Sequence, residues 1–164
     1  MHYNVNCNHY KYETGTLVGV KGINSTDLKN YLSSKNIKPS YPRIKIYEYL
    51  SKHHTHPTVD EIYLSLLQEM PTLSKTTVYN TLKTFIEKGL VKLVTIEDNE
   101  TRYDVDTNNH GHFKCENCRK IYDFPVNLEY DLRDELNGFQ IKERSIYFKG
   151  ICEACNNELD KVKE

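Results

Sequence analysis

The chain has 164 residues, of which 38% are hydrophobic and 27% charged, and it contains seven Gly, five Pro and no Trp. This composition suits one medium-sized domain or two small ones, and it excludes collagen-like, low-complexity and largely disordered proteins. No stretch approaches the ~20 consecutive apolar residues of a membrane span, and the first residues lack the basic start and apolar core of an export signal. We therefore expect a soluble, cytoplasmic protein.

The net charge of −1 conceals opposite charges in the two parts of the chain. Residues 1–96 contain 12 basic and 7 acidic side chains, a net charge of +5, whereas residues 97–164 contain 10 basic and 16 acidic side chains, a net charge of −6. An excess of five positive charges is compatible with a polyanionic partner such as nucleic acid, but it does not identify one.

The first 23 residues show little hydrophobic periodicity, and we predict that they form a poorly ordered extension with at most a short strand at 17–20. This segment contains Cys7 and His9. Two separated ligand types in such a tail make a weak metal site, so solvated side chains are the favoured interpretation.

Helical periodicity begins at Ser25 and predicts four amphipathic helices. The first two have apolar residues at i, i+3 and i+4: Leu28, Tyr31 and Leu32, then Ile46, Tyr47 and Leu50. The third is predicted to begin with a capping box formed by Thr58 and Glu61, to carry an apolar stripe through Met70 and to end at Pro71. The fourth is expected to run from an N-cap at Ser74 to a stop at Gly89.

Two β-rich runs, 90–96 and 101–106, follow the fourth helix and are joined by an acidic turn at 97–100, which predicts a hairpin. Three or four helices followed by such a hairpin form a winged helix, a fold that reads DNA with its last helix. The exposed face of this helix offers side chains suited to phosphates and base edges: Lys75, Thr76, Thr77, Tyr79, Asn80 and Lys83. Without the hairpin, a solvated amphipathic face would be nearly as good an interpretation.

A polar stretch at 107–109 is the predicted hinge between a DNA-binding domain over 24–106 and a second domain over 110–164. In the second domain, strand-like runs at 112–115, 121–124 and 140–151 flank an amphipathic helix at 128–136, and residues 153–162 are predicted to form a last helix. The predicted fold class is therefore α+β, with a small α/β domain that needs a metal, a partner subunit or both for stability.

Four of the five cysteines form two C-x-x-C pairs, Cys115 with Cys118 and Cys152 with Cys155. Two such pairs supply the four thiolates of a closed tetrahedral site, which is the arrangement of structural zinc. A thioredoxin-like redox motif and a pair of disulfides are the alternatives. The repetition of the pair disfavours the first alternative and a reducing compartment disfavours the second.

A second group of ligand types surrounds the hinge. His110 and His112 have the i, i+2 spacing that places both imidazoles on one face of a strand, and Asp104, Asp106 and Asp123 lie nearby in the sequence. Mixed His and Asp donors suit Fe²⁺ or Mn²⁺ better than a closed cysteine site does. Solvated surface residues are an equally good interpretation from spacing alone. His56, which lies outside this group, is on general grounds a surface or capping residue.

Taken together, these residues resemble the ferric uptake regulator (Fur) superfamily over about residues 25–160. The resemblance rests on six groups of residues: His56-Pro-Thr-Val-Asp-Glu-Ile-Tyr63, Thr76-Thr-Val-Tyr-Asn-Thr-Leu82, Gly89-Leu-Val91, Arg102-Tyr-Asp104, His110-Gly-His112 and the two cysteine pairs. It implies a homodimeric, metal-dependent repressor with an N-terminal winged helix and a C-terminal α/β dimerisation domain.

Within this superfamily the chain is most similar to the peroxide-sensing branch, PerR, because Asp123 stands where iron-uptake regulators generally carry Glu and because Asn80 follows the same branch. This resemblance implies a regulatory Fe²⁺ or Mn²⁺ site whose ligands are His56, Asp104, His110, His112 and Asp123. It also implies that peroxide reacts at bound Fe²⁺ and oxidises His56 and His110, after which the ion is lost and repression ends. Mn²⁺ in the same site is expected to support DNA binding while reacting poorly with peroxide.

The resulting expectation is a peroxide-responsive repressor that reads a palindromic operator whose half-sites lie about 34 Å apart. An iron-, zinc- or manganese-uptake regulator of the same superfamily is the alternative. An enzyme is not expected, because the sequence has no nucleophile–base pair, no H-E-x-x-H helix and no Gly-rich phosphate loop.

Overall fold

The computed structural model of the protein describes residues 25–97, 99–126 and 136–161. The described residues divide into two compact units, 25–107 and 108–161. The predicted extension over residues 1–23, with its strand and with Cys7 and His9, lies outside the described residues, as does nearly all of the helix predicted at 128–136.

The first unit contains four helices followed by a two-stranded antiparallel hairpin, as predicted. The helices are α1 (Ser25–Ser34), α2 (Tyr41–Lys52), α3 (Val59–Leu66) and α4 (Lys75–Glu87), and the strands are β1 (Lys92–Val94) and β2 (Arg102–Asp104). One core connects the four helices and β2, and its fully buried side chains include Leu32, Ile46, Ile62, Val78, Leu82 and Phe85. This order of elements is that of a winged helix, in which α4 is the recognition helix and the hairpin is the wing.

The ends of α3 and α4 follow the capping signals in the sequence. The Thr58 hydroxyl accepts a hydrogen bond from the Glu61 N–H at 3.1 Å, and the Glu61 carboxylate accepts one from the Thr58 N–H at 2.7 Å, which completes the capping box. The regular part of α3 ends at Leu66, earlier than the apolar stripe suggests, although the Met70 N–H still donates to the Leu66 carbonyl. Helix α4 has the predicted N-cap Ser74, and its chain turns away at Gly89 with φ +67°.

The second unit is a three-stranded sheet with a C-terminal helix. The strands are β3 (His110–Cys115), β4 (Ile121–Pro125) and β5 (Tyr147–Gly150), in the order β4-β3-β5, and α5 (Glu153–Lys161) follows. Strand β3 pairs antiparallel with β4 and parallel with β5. The prediction of a strand over 140–151 is wrong for residues 140–146, where consecutive exposed side chains, including three charged ones at 142–144, leave no face to bury.

Strand pairing gives the sheet two chemically different faces, because successive side chains point to opposite sides. One face carries His110 and His112 of β3, together with Asp123 of β4 and Tyr147 of β5, which are both paired with His112 in the strand register. The opposite face is aromatic and carries Phe113, Tyr122, Phe124 and Phe148. None of the helices in the described parts of the chain is long and apolar enough to cross a membrane.

Candidate metal centres and DNA-binding surface

The four cysteines of the second unit converge on one point. Cys115 ends β3 and Cys118 lies in the turn that follows, while Cys152 and Cys155 lie at the start of α5. Their four Sγ atoms lie within 4.8 Å of one another, and the Cys118 and Cys152 Sγ atoms are 3.8 Å apart. Sulfurs about 2.3 Å from a tetrahedral zinc ion are about 3.8 Å apart, so this cluster has the dimensions of a structural zinc site.

Hydrogen bonds connect the cysteines with the backbone and with one another. The Cys115 Sγ accepts the backbone N–H groups of Cys118 at 3.5 Å and Cys152 at 3.3 Å. Burial acts to raise the pKa of Cys152, but hydrogen bonds with the Tyr122 hydroxyl and with neighbouring cysteines outweigh burial and lower that pKa to about 6. Burial raises the pKa of Cys155. None of these four cysteines forms a disulfide, so the structure does not contain the disulfide alternative.

His110, His112 and Asp123 form a second group of potential ligands in the same unit. The Nε2 atoms of His110 and His112 are 3.0 Å apart, and each lies 3.7 Å from Oδ1 of Asp123. Donor atoms about 2.1 Å from a shared ion are about 3.0 Å apart when they bind at right angles and up to about 4.2 Å apart when they bind on opposite sides. The spacing of these three side chains therefore fits three positions around one cation.

His56 and Asp104 form a buried pair in the first unit. His56 precedes the N-cap of α3, and Asp104 is the last residue of β2; the two are 2% and 5% exposed. The His56 Nε2 lies 3.8 Å from Oδ2 of Asp104, within the range that one ion spans. The other carboxylate oxygen, Oδ1, accepts the Asp106 N–H at 2.8 Å, which fixes the orientation of the Asp104 side chain. The general expectation that His56 is an exposed or capping residue is wrong, since its side chain is buried beside a carboxylate.

Helix α4 exposes the face that was predicted to contact DNA. The exposed side chains of this face are Lys75, Thr76, Tyr79, Asn80 and Lys83. Thr77 is half-buried, and its hydroxyl forms a hydrogen bond with the hydroxyl of the N-cap Ser74. Lys75 forms an ion pair with Asp60 at 2.9 Å, with its Nζ 5.8 Å from the ring centre of Tyr63.

A groove of about 380 Å³ lies beside this face, between α4 and the segment that leads into α2. Its lining includes Lys38 and Arg43 from the α2 side and Thr77 and Asn80 from α4. Arg43 donates to the Lys38 carbonyl at 2.8 Å, which fixes the shape of the loop. Sequence analysis missed these two basic residues, because only the packing of α2 against α4 brings them next to the recognition helix.

Comparison with known proteins agrees with this architecture. The sequence profile of the Ferric uptake regulator family matches residues 34–149. A peroxide-responsive repressor, PerR, from Staphylococcus aureus is 36% identical over 130 residues, which are 77% of this chain and 88% of that protein.

Solved structures of regulators from this family have folds similar to that of this chain. The Vibrio cholerae ferric uptake regulator superposes with a TM-score of 0.62 at 25% identity and covers 76% of this chain and 98% of its own. A Campylobacter jejuni peroxide stress regulator gives a TM-score of 0.57 at 27% identity and covers 79% of this chain and 97% of its own. The predicted fold class, a winged helix followed by a small α/β dimerisation domain, is confirmed by these likenesses.

Proposed function

The chain belongs to the Ferric uptake regulator family, and from this premise we propose that it is a metal-dependent transcriptional repressor that releases DNA when hydrogen peroxide oxidises it. Membership of the family identifies the protein as a metal-responsive regulator and not an enzyme, as expected from the sequence. The peroxide-sensing role is the further step, and its support is the similarity to peroxide-responsive repressors together with the donor set described above.

The observation that carries the proposal is the presence of two preformed groups of nitrogen and oxygen donors. One ion would take His56 and Asp104 from the DNA-binding unit and His110, His112 and Asp123 from the second unit. Three imidazoles and two carboxylates suit Fe²⁺ or Mn²⁺. Because its ligands come from both units, such an ion would stabilise only the arrangements of the units in which all five side chains reach it. We propose that the arrangement selected in this way is the one that binds DNA.

The redox step needs a metal that can give up an electron. Fe²⁺ held by these residues would supply the redox chemistry that cleaves the O–O bond of hydrogen peroxide. In the net reaction, one oxygen atom of the peroxide would be inserted into a neighbouring imidazole ring and the other would leave as water. His56 and His110 are the proposed targets. An oxidised ring is a poorer ligand, so the ion is lost and the units are no longer held in the DNA-binding arrangement. Each molecule would act once, as a sensor and not as a catalyst.

The four cysteines hold structural Zn²⁺ in this proposal, in accord with their fit to a tetrahedral site. Zinc held by four thiolates needs reduced cysteines, and a repressor must reach chromosomal DNA. Both requirements are met in the cytoplasm, where we place the protein.

The proposed partner is double-stranded DNA with a palindromic operator. The exposed face of α4 would enter the major groove, and Lys38 and Arg43 beside it would contact the phosphate backbone. A two-fold symmetric protein matches a two-fold symmetric site, with half-sites about 34 Å apart.

The proposed homodimer would form through the aromatic face of the sheet in the second unit. Phe148 is 56% exposed and stacks on Phe124 with ring centres 5.3 Å apart, and Ile151 nearby is also exposed. Among the described strands, β5 lies at an edge of the sheet. A second copy would cover this apolar surface, which a monomer leaves in water.

Operator binding with different metals tests the proposal. The apoprotein with zinc in the cysteine site is expected to bind the operator weakly, and either Fe²⁺ or Mn²⁺ to raise its affinity, as measured by fluorescence anisotropy. Equimolar peroxide should then abolish binding of the Fe²⁺ form and leave the Mn²⁺ form bound. Retention of full affinity by the Fe²⁺ form after peroxide treatment would refute the sensing role.

A second candidate function is an iron-, zinc- or manganese-uptake regulator, and the likeness to the Vibrio cholerae regulator favours it. Substitution Asp123→Glu separates the two candidates, because the extra methylene changes how the carboxylate meets the ion while retaining its charge. The sensor proposal predicts that this variant keeps metal-dependent DNA binding and loses sensitivity to peroxide. An uptake regulator would show no peroxide response in either form.

A further inference from the structure

His56 has an unusual backbone conformation for a residue with a side chain. Its φ is +52°, in the left-handed region that glycine adopts freely and that other residues occupy only when their surroundings require it. The two residues that follow are Pro57, whose ring fixes its own φ, and the N-cap Thr58. The backbone conformation of His56 sets the direction of its imidazole ring. The contacts that stabilise this backbone conformation therefore also orient the ring.

Three consecutive residues of β2 contact this segment. The Arg102 guanidinium donates from Nη1 to the His56 carbonyl at 3.1 Å, and the Tyr103 N–H donates to the Pro57 carbonyl at 3.1 Å. Asp104, the third residue, is the carboxylate beside the His56 ring. One short strand thus supplies both the proposed partner ligand of His56 and the hydrogen bonds that fix its main chain.

Arg102 is itself fixed by carboxylates on several sides, and its side chain is only 14% exposed. Its Nε lies 3.2 Å from Glu97 and its Nη2 lies 2.6 Å from Glu100, both in the wing. Its Nη1 also lies 3.5 Å from Glu61, the carboxylate of the α3 capping box. A planar guanidinium can satisfy these acceptors at the same time, which the single ammonium of lysine cannot do.

We propose that Arg102 is a positioning residue for the regulatory metal: it touches no ion, but it holds the His56 main chain in the left-handed conformation that aims the imidazole at the site. The inference rests on the proposed role of His56 as a ligand. Groups that orient metal ligands typically affect metal affinity by about 10- to 100-fold when they are removed. Through Glu97 and Glu100, Arg102 also joins the wing to the metal site.

The test measures Mn²⁺ affinity of the zinc-loaded protein by electron paramagnetic resonance for the wild type, Arg102→Met, Arg102→Lys and His56→Ala. Lys45→Met is the matched control, because Lys45 also forms ion pairs with two carboxylates of the same unit, Glu48 and Glu69. We expect Arg102→Met to weaken Mn²⁺ binding by about 10- to 100-fold, Arg102→Lys to have an intermediate effect and Lys45→Met to have none.

A second readout uses no regulatory metal. In the zinc-loaded apoprotein, NMR signals of the His56 amide and imidazole are expected to shift or broaden in Arg102→Met and to stay unchanged in Lys45→Met. Thermal unfolding and zinc content establish that each variant is folded, and Arg102→Lys carries the test if Arg102→Met is not.

The outcomes separate the two claims. Wild-type Mn²⁺ affinity in a folded Arg102 variant, together with a large loss in His56→Ala, would overturn the role of Arg102 alone. Wild-type affinity in His56→Ala would instead overturn the proposed metal site. An equal loss of affinity in Lys45→Met would show that the effect of Arg102 is not specific to His56.

Discussion

Gly111 shows how one small residue affects the geometry of two proposed metal ligands, His110 and His112. It lies between His110 and His112 on β3, and the Phe124 ring of the paired strand packs directly over it. A Cβ at this position would overlap the Phe124 ring. The glycine therefore permits the aromatic face to close over β3 while the two imidazoles project from the other side.

We predict that Gly111→Ala destabilises the second unit by about 1–3 kcal/mol, because the ring or the strand must move to accommodate a methyl group. Weaker Mn²⁺ binding should accompany the loss, since the same strand carries two proposed ligands. Gly150→Ala is the control, because a Cβ there meets Phe113 at an ordinary contact distance of 3.5 Å. Thermal unfolding of both variants checks this prediction, and equal stabilities would contradict it.

At the scale of residues, the sequence identifies best those sites whose members are close in the chain. Each C-x-x-C pair is a local signal, and the i, i+2 spacing of His110 and His112 places both on one face of a strand. Asp123 joins them only through the register of β3 and β4. The contacts of Arg102 with His56 span 46 residues, and no spacing rule could predict them.

The capping box of α3 lies next to the proposed metal site, because Thr58 is two residues after His56. Thr58→Ala removes the hydroxyl that accepts the Glu61 N–H and should lower the stability of the first unit by about 1 kcal/mol. Ser40→Ala is the matched control, since Ser40 is the N-cap of α2 but its side chain makes no capping hydrogen bond. Urea unfolding measures both, and the prediction fails if the two substitutions cost the same.

The bounds of α4, which has clear end signals, agree with the prediction, whereas the length of the edge strand β5 does not. Helix α4 is bounded by Ser74 and Gly89 as expected, because both signals act locally. The third β-rich run was predicted to cover 140–151, whereas β5 occupies only Tyr147–Gly150. Strand β5 pairs with β3 only over His112 to Cys115, and the exposed residues at 140–145 do not join the sheet.

At the scale of the molecule, the two units differ in how they are stabilised. Among the described residues, the first unit has a core of 18 buried apolar residues, whereas the principal buried cluster of the second consists of Cys115, Cys152 and Cys155. A core built around cysteines depends on the ion that they bind. This contrast agrees with the prediction from the sequence that the smaller unit needs a metal, a partner subunit or both for stability.

We therefore predict that removing zinc unfolds the second unit and leaves the first folded. Treatment with a strong chelator, or the substitution Cys155→Ser, should abolish the NMR dispersion of residues in β3 to β5 while the signals of α1 to α4 persist. Zinc content measured in parallel should fall from one ion per chain to none. A second unit that stays folded without zinc would show that the cysteine cluster is not its main support.

The central claim is that one redox-active cation is bound by residues of both units. Peptide mass spectrometry of the Fe²⁺-loaded protein after equimolar peroxide tests it most directly, with the Mn²⁺-loaded protein as control. The account predicts one added oxygen atom per chain, carried by either His56 or His110, and no addition in the Mn²⁺ form. Unmodified histidines in the Fe²⁺ form, or oxidation spread evenly over exposed residues such as His53 and His54, would contradict it.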